Sequence, residues 1–121
     1  MRGQGLSGSL GRLVGAGSGD DLVRLNTSQT NILSGNSLVL GAVTPPLPAC
    51  GVCLGWNGSG RSGSYNGAAV NSDLIAPATA GQVYLGRNQA GLFAAGRYDS
   101  LTIWPFRATN AAIQAKSVAY S

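Results

Sequence analysis

Neither histidine nor glutamate occurs anywhere in the sequence. The first absence removes the commonest general base and every Ser-His-Asp or Cys-His arrangement within one chain. The second removes one of the two usual carboxylates of glycoside hydrolysis. Acidic side chains are confined to Asp20, Asp21, Asp73 and Asp99. Asp20 and Asp21 are adjacent, but a calcium site needs about six to eight oxygens, so the pair reads as a solvated turn. Charge as a whole is scarce, at 10% of residues against about 25% in an ordinary globular chain. No apolar run reaches the roughly 18 residues of a membrane-spanning helix, so no membrane insertion is expected. The opening stretch MRGQGLSGSLGRLVGAG has no continuous apolar segment and makes a poor secretory signal.

Glycine is what the chain has in excess, 19 of 121 residues, against a usual ~7%. Much of the apolar content is alanine, which buries little area per residue. A weakly charged chain of this kind points to burial completed by neighbours, either other subunits or copies of itself. The net charge of +4 comes from seven arginines and Lys116 set against the four aspartates. The cations are dispersed from Arg2 to Lys116 with no cluster, which argues a mildly cationic surface and no nucleic-acid footprint.

The stretch ACGVCLGW contains both cysteines, Cys50 and Cys53. A redox Cys-x-x-Cys normally opens a helix in a βαβ setting. Here Pro45, Pro46 and Pro48 precede it, and Gly51 and Gly55 punctuate it. Zinc would lack half its ligands unless a second chain supplied them. In an extended strand, residues three apart face opposite ways. The pair is therefore expected to be two small strand residues with no bridge, no metal and no cofactor.

Residues 1–21 read as a Gly-rich arm or loop. Within them GAGSG, 15–19, lacks the lysine of a phosphate-cradling loop. From residue 22 onward the patterning predicts strands. DLVRLN alternates, SLVLGAV at 37–43 is a compact apolar run, and TPPLP is a stiff connector. VCLGW at 52–56 is the next strand, followed by the turn-rich NGSGRSG. Asn66-Gly67 carries a type I′ signal, which predicts a tight hairpin of 62–65 with 68–71. QVYLG at 82–86 and RYDSLTIW at 97–104 also alternate. Thr109 is a good N-cap for a short helix over Ala111, Ala112, Ile113, Ala115 and Lys116. The expected fold is all-β, an antiparallel sandwich over 22–121 with one short C-terminal helix.

LGWNGSGRSGSYNGAAVNSD and PATAGQVYLGRNQAGLFAAGRYDSLTIWPFRATNAAIQ resemble the concanavalin A-like, laminin-G-like sandwich domains attached to phage and prophage structural proteins. The resemblance spans roughly residues 52 to 118. Asn66 and Gly67 match that family's hairpin tip, and Tyr84, Leu85, Gly86 and Arg87 match a strand at a loop lip. Gly96, Arg97, Tyr98, Leu101, Ile103, Trp104 and Pro105 match the last strand, and Thr109 to Ile113 the helix. It implies a jelly roll, here reduced or completed by another subunit because residues 1–48 are short for the remaining strands. The paired-glutamate motif of the family's catalytic members is missing.

From the resemblance and the missing catalytic residue types, the expectation is a non-enzymatic virion component. It would act as a decoration, fibre or tail-associated domain through contacts with other virion subunits or itself, with cell-surface glycan as a further partner. A stand-alone carbohydrate-binding module is the alternative, and a redox protein using Cys50 and Cys53 a distant third. Sugar sites pair exposed rings with hydrogen-bonding side chains. The candidate contacts are Trp56, Asn57, Tyr65, Asn66 and Asn88. Tyr84 and Trp104 are expected to seal the core.

Overall fold

The computed structural model describes residues 1–7, 12–15, 21–25, 29–34, 36–42, 49–75, 84–85, 95–103 and 106–118. They are mostly strand, with one helix. The strands are β1 (Arg2–Ser7), β2 (Arg12–Gly15), β3 (Asp21–Leu25), β4 (Gln29–Ser34) and β5 (Asn36–Ala42). They continue with β6 (Cys50–Asn57), β7 (Gly60–Tyr65), β8 (Asn71–Asp73), β9 (Tyr84–Leu85) and β10 (Ala95–Ser100). Helix α1 covers Asn110–Lys116. One antiparallel sheet runs β10-β1-β6-β7-β8, and a second runs β5-β4-β3-β2-β9.

The expected arm contributes to both sheets. β1 lies between β10 and β6, pairing Gly3 with Tyr98 and with Cys50, while β2 pairs with β3 and β9. RGQGLS carries no apolar alternation, so its strand character comes from two flanking ladders and not from its own side chains. RYDSLTIW is shorter as a strand than its alternation suggests. β10 ends at Ser100, whose partner Arg2 is the last pair of the ladder, and Leu101 and Ile103 lie beyond it, exposed. Trp104, Pro105, Gly86, Arg87 and Asn88 lie outside the described residues.

The β6–β7 hairpin is the centre of the described core. Its ladder runs in unbroken register from Val52–Tyr65 to Asn57–Gly60. Cys50, Val52 and Leu54 alternate with Gly51, Cys53 and Gly55, as the strand period demands. On the first face, β5 lies against the hairpin. Leu40 reaches Gly63, where an added Cβ would stand 2.5 Å from its Cδ2, and Gly41 lies under the Tyr65 ring. On the second face α1 docks on the glycines. A Cβ on Gly55 would meet Ile113 Cδ1 at 2.7 Å, and one on Gly51 would overlap the Ser117 carbonyl. Ile113 and Ser117 are fully buried.

Helix α1 begins as its sequence predicts. Thr109 is extended, and its hydroxyl accepts the Ala112 N–H at 3.3 Å. Cys50 and Cys53 are buried on opposite faces of β6, with no disulfide between them. Burial pushes the Cys53 thiol up, which favours its protonated form.

Candidate ligand-binding cleft

The tip of the hairpin is Gly58–Ser59, with Asn57 opposite Gly60. The Asn57 side chain caps it, its Oδ1 accepting the Ser59 N–H at 2.9 Å, an Asx turn. Here the sequence suggests only a turn-rich break. The Asn66-Gly67 signal does form its turn, since both residues have positive φ and the Ala68 N–H donates to the Tyr65 carbonyl at 3.0 Å. It does not close a tight hairpin. Gly63 pairs with Asn71, one residue later than a two-residue loop gives, so β8 starts at Asn71.

An open cleft of ≈ 200 Å³ wraps the ends of β7 and β8 beside the Gly58–Ser59 tip. Two arginines shape it in different ways. Arg61 is 1% exposed and sits directly across from Asp73. Its Nε donates to both carboxylate oxygens, at 3.0 and 3.1 Å, and its Nη2 to Oδ2 at 2.9 Å. That fork, more than any other contact, holds the Asp73 carboxyl below its ordinary value. The charges of this pair cancel within the wall.

Arg107 enters from the segment before α1, on the helix face, its stem beside Gly55. Its Nη2 donates to Ser62 Oγ at 2.5 Å and to Asn110 Oδ1 at 3.1 Å, and its Nη1 to the Ala108 carbonyl at 3.3 Å. All these acceptors are neutral. Ser62 in turn lies 2.8 Å from Ser72 across the β7–β8 ladder. The cleft thus gathers the Arg107 guanidinium, which has no carboxylate partner among the described residues, three serine hydroxyls and the Asn57 amide, beside the Arg61–Asp73 pair. Among the described residues, no group of three His, Cys, Asp or Glu side chains is placed to hold a metal ion.

The five candidate contacts do not share one surface. Asn57 lines the cleft. Trp56 is adjacent and 41% exposed, but strand alternation puts it on the Arg61 side of the sheet, opposite the face that Arg107 approaches. Tyr65 is a core side chain, buried under Gly41, and its phenol is pushed up to about 12, chiefly by burial. It also lies four residues along β6 from Trp56's position, roughly 13 Å away. Asn66 is occupied in the fold. Its Oδ1 accepts the Gly51 N–H at 2.7 Å, and its own N–H donates to the Gly51 carbonyl at 2.9 Å. Asn88 is outside the described residues. Sequence reasoning missed Arg107, Ser62 and Ser72. The available signal was Arg107 standing two residues before the N-cap, and so close to a helix entry.

No family model, no curated protein and no solved structure matches the chain.

Proposed function

We propose that the chain is a non-enzymatic binding domain of a virion, a decoration, fibre or tail-associated component that attaches to a glycan-bearing surface. The two sheets form a β-sandwich of the concanavalin A-like kind in this reading. The contact between β5 and the β6–β7 hairpin supports it, because Leu40, Leu54 and Gly63 interleave between the layers. The virion context rests on the sequence resemblance and on the exposed Leu101, Ile103 and Phe106, which suit contact with a neighbouring subunit.

The observation that carries the binding half is the polar cleft at the hairpin tip. Its hydroxyls, amide and guanidinium offer the directional hydrogen bonds that a polyol needs. No histidine or glutamate exists to serve as a base beside it, and both thiols are buried away from it. The reading is therefore one of binding without turnover, with the Asp73 carboxylate of the cleft engaged by Arg61.

A glycan array probed with the purified chain tests this reading. Selective binding lost in Asn57→Ala and kept in Trp56→Ala supports recognition at the cleft. Loss in Trp56→Ala alone moves the site to the opposite face, and silence across the array overturns the glycan reading. Copurification with particle subunits tests the assembly half, and a chain that associates with neither itself nor a particle overturns it.

A further inference from the structure

We infer that the cleft selects an acidic saccharide, with Arg107 receiving a sugar carboxylate. This rests on the glycan reading above and adds a charge requirement to it. Arg61 cannot play the part, since Asp73 occupies its fork and the side chain is fully buried. Arg107 can. A guanidinium has five N–H donors, and three are engaged, which leaves two for a ligand. All three of its acceptors are neutral, and the Asp73 carboxylate that also lines the cleft is held by Arg61, so among the described residues no carboxylate pairs with Arg107.

The surroundings favour a carboxylate on a sugar over a bare anion. Arg107 donates into Ser62 Oγ, so Ser62 can pass its own hydrogen to Ser72 and leave the Ser72 hydrogen directed outward. The Asn57 carbonyl oxygen is used by Ser59, while its NH₂ has no partner among the described residues. Both groups donate, and both line the cleft with the cation, matching ring and hydroxyl oxygens flanking a carboxylate. The cleft is smaller than the roughly 300–1,000 Å³ of drug-sized sites, so it takes one sugar residue and not an extended chain. Trp56 stands on the other face of the sheet and takes no part.

The test is a titration of the full chain with glucuronate, glucose and inorganic sulfate, read by amide chemical shifts at Ser62, Ser72 and Asn57. Glucuronate is expected to bind about tenfold more tightly than glucose, the scale of one partly exposed charge-assisted hydrogen bond. The preference should shrink with added salt. Arg107→Gln should abolish the difference between glucuronate and glucose, Arg107→Lys should keep part of the preference, and Trp56→Ala should keep all of it. Equal affinity for glucuronate and glucose overturns the inference and leaves the glycan reading standing. Sulfate binding as tightly as glucuronate reduces the cleft to a simple anion site and overturns the saccharide assignment. If none of the three binds, both readings fall. The wild-type ratios decide among these outcomes even if Arg107→Gln does not fold.

Discussion

Replacing Gly51 with alanine should be among the most damaging single-methyl changes in the described structure. The added Cβ would overlap the Ser117 carbonyl and stand 3.0 Å from the Val118 carbonyl. Both obstacles are backbone, so α1 must move. Ser117 anchors the end of that helix. Its hydroxyl accepts the Gly67 N–H at 2.9 Å and lies 2.8 Å from the buried Ser64 hydroxyl. Overpacking costs about 1–3 kcal/mol, and each strained hydrogen bond adds about 1 kcal/mol. Gly51→Ala should therefore lose about 3–4 kcal/mol. The same change at Gly55 meets the terminal methyl of Ile113 at 2.7 Å and the Arg107 stem at 3.2 Å, side-chain atoms that can yield more cheaply than backbone. It should cost only about 1 kcal/mol, part of it offset by the reduced entropy of the unfolded chain. At roughly 4 °C per kcal/mol for a chain of this length, thermal unfolding followed by circular dichroism should show falls of about 14 and 4 °C. Equal shifts, or a larger one at Gly55, would refute the claim that backbone-on-backbone contact fixes the helix.

Asp73→Asn strips the carboxylate from a buried arginine and should cost about 3 kcal/mol in denaturant unfolding. That is the low end for a broken buried pair, because Asp73 keeps 27% of its side-chain surface in solvent. A variant as stable as the wild type would show that Arg61 does not need this partner. The Arg61 contact also sets an acid limb. The folded carboxyl titrates below its ordinary 3.8, so its contribution is whole above that value and disappears as pH falls through the lower folded one. Asp73→Asn should flatten that limb, and an unchanged acid profile would rule the pair out as its source. Tyr65 and Tyr98 are pushed to about 12 by burial. As acids with raised folded values, they stabilise fully below the unfolded value near ~10 and lose that contribution as pH climbs towards 12. Spectrophotometric titration of Tyr65→Phe and Tyr98→Phe should each lack one late-ionising phenol, and early ionisation of both would place them in solvent. Native protein should leave Cys50 and Cys53 untouched by a thiol reagent until denaturant is added, and rapid native labelling would contradict their burial.

The sequence made some of this fold legible and hid the rest for identifiable reasons. α1 was readable because Thr109 and the alanine-rich turn after it are local signals. β5 and β6 were readable from compact apolar runs, and the opposed cysteines from the strand period alone. β1 was not, because RGQGLS draws its order from β6 and β10, far along the chain. The Asn66-Gly67 turn was correctly typed, yet its consequence was misjudged. The extra residue before β8 is held by Ser64 Oγ bonding the Ala68 carbonyl at 2.7 Å, a contact no local pattern announces. The cleft was half legible. Asn57 stood out as a polar turn residue beside an aromatic, whereas Arg107 reaches Ser62 across 45 positions. Tyr65 looked like a ligand platform because it flanks a Gly-rich loop. Two glycines, Gly63 on the same face of β7 and Gly41 in β5, let β5 approach and cover it.

That last point bears on the glycine content, first read as a sign that neighbours complete the burial. At four positions the explanation is internal. Gly51 and Gly55 admit α1 on one face of the hairpin, while Gly63 and Gly41 admit Leu40 and the Tyr65 ring on the other. A two-stranded ribbon covered on both sides needs small residues wherever a second layer crosses it. Ser62 and Ser64, buried on the helix face, must then bond a neighbour, as both do. Glycine and serine richness at the hairpin therefore reports close layering within the chain and carries no weight for assembly. The case for a partner subunit rests on a different feature, the exposed apolar side chains Leu101, Ile103 and Phe106 beyond the end of β10. Charged substitutions there should abolish self-association or particle binding while leaving the melting temperature within a few degrees, as measured by sedimentation and thermal unfolding on the same samples. Unchanged association would show that these three side chains do not form the contact.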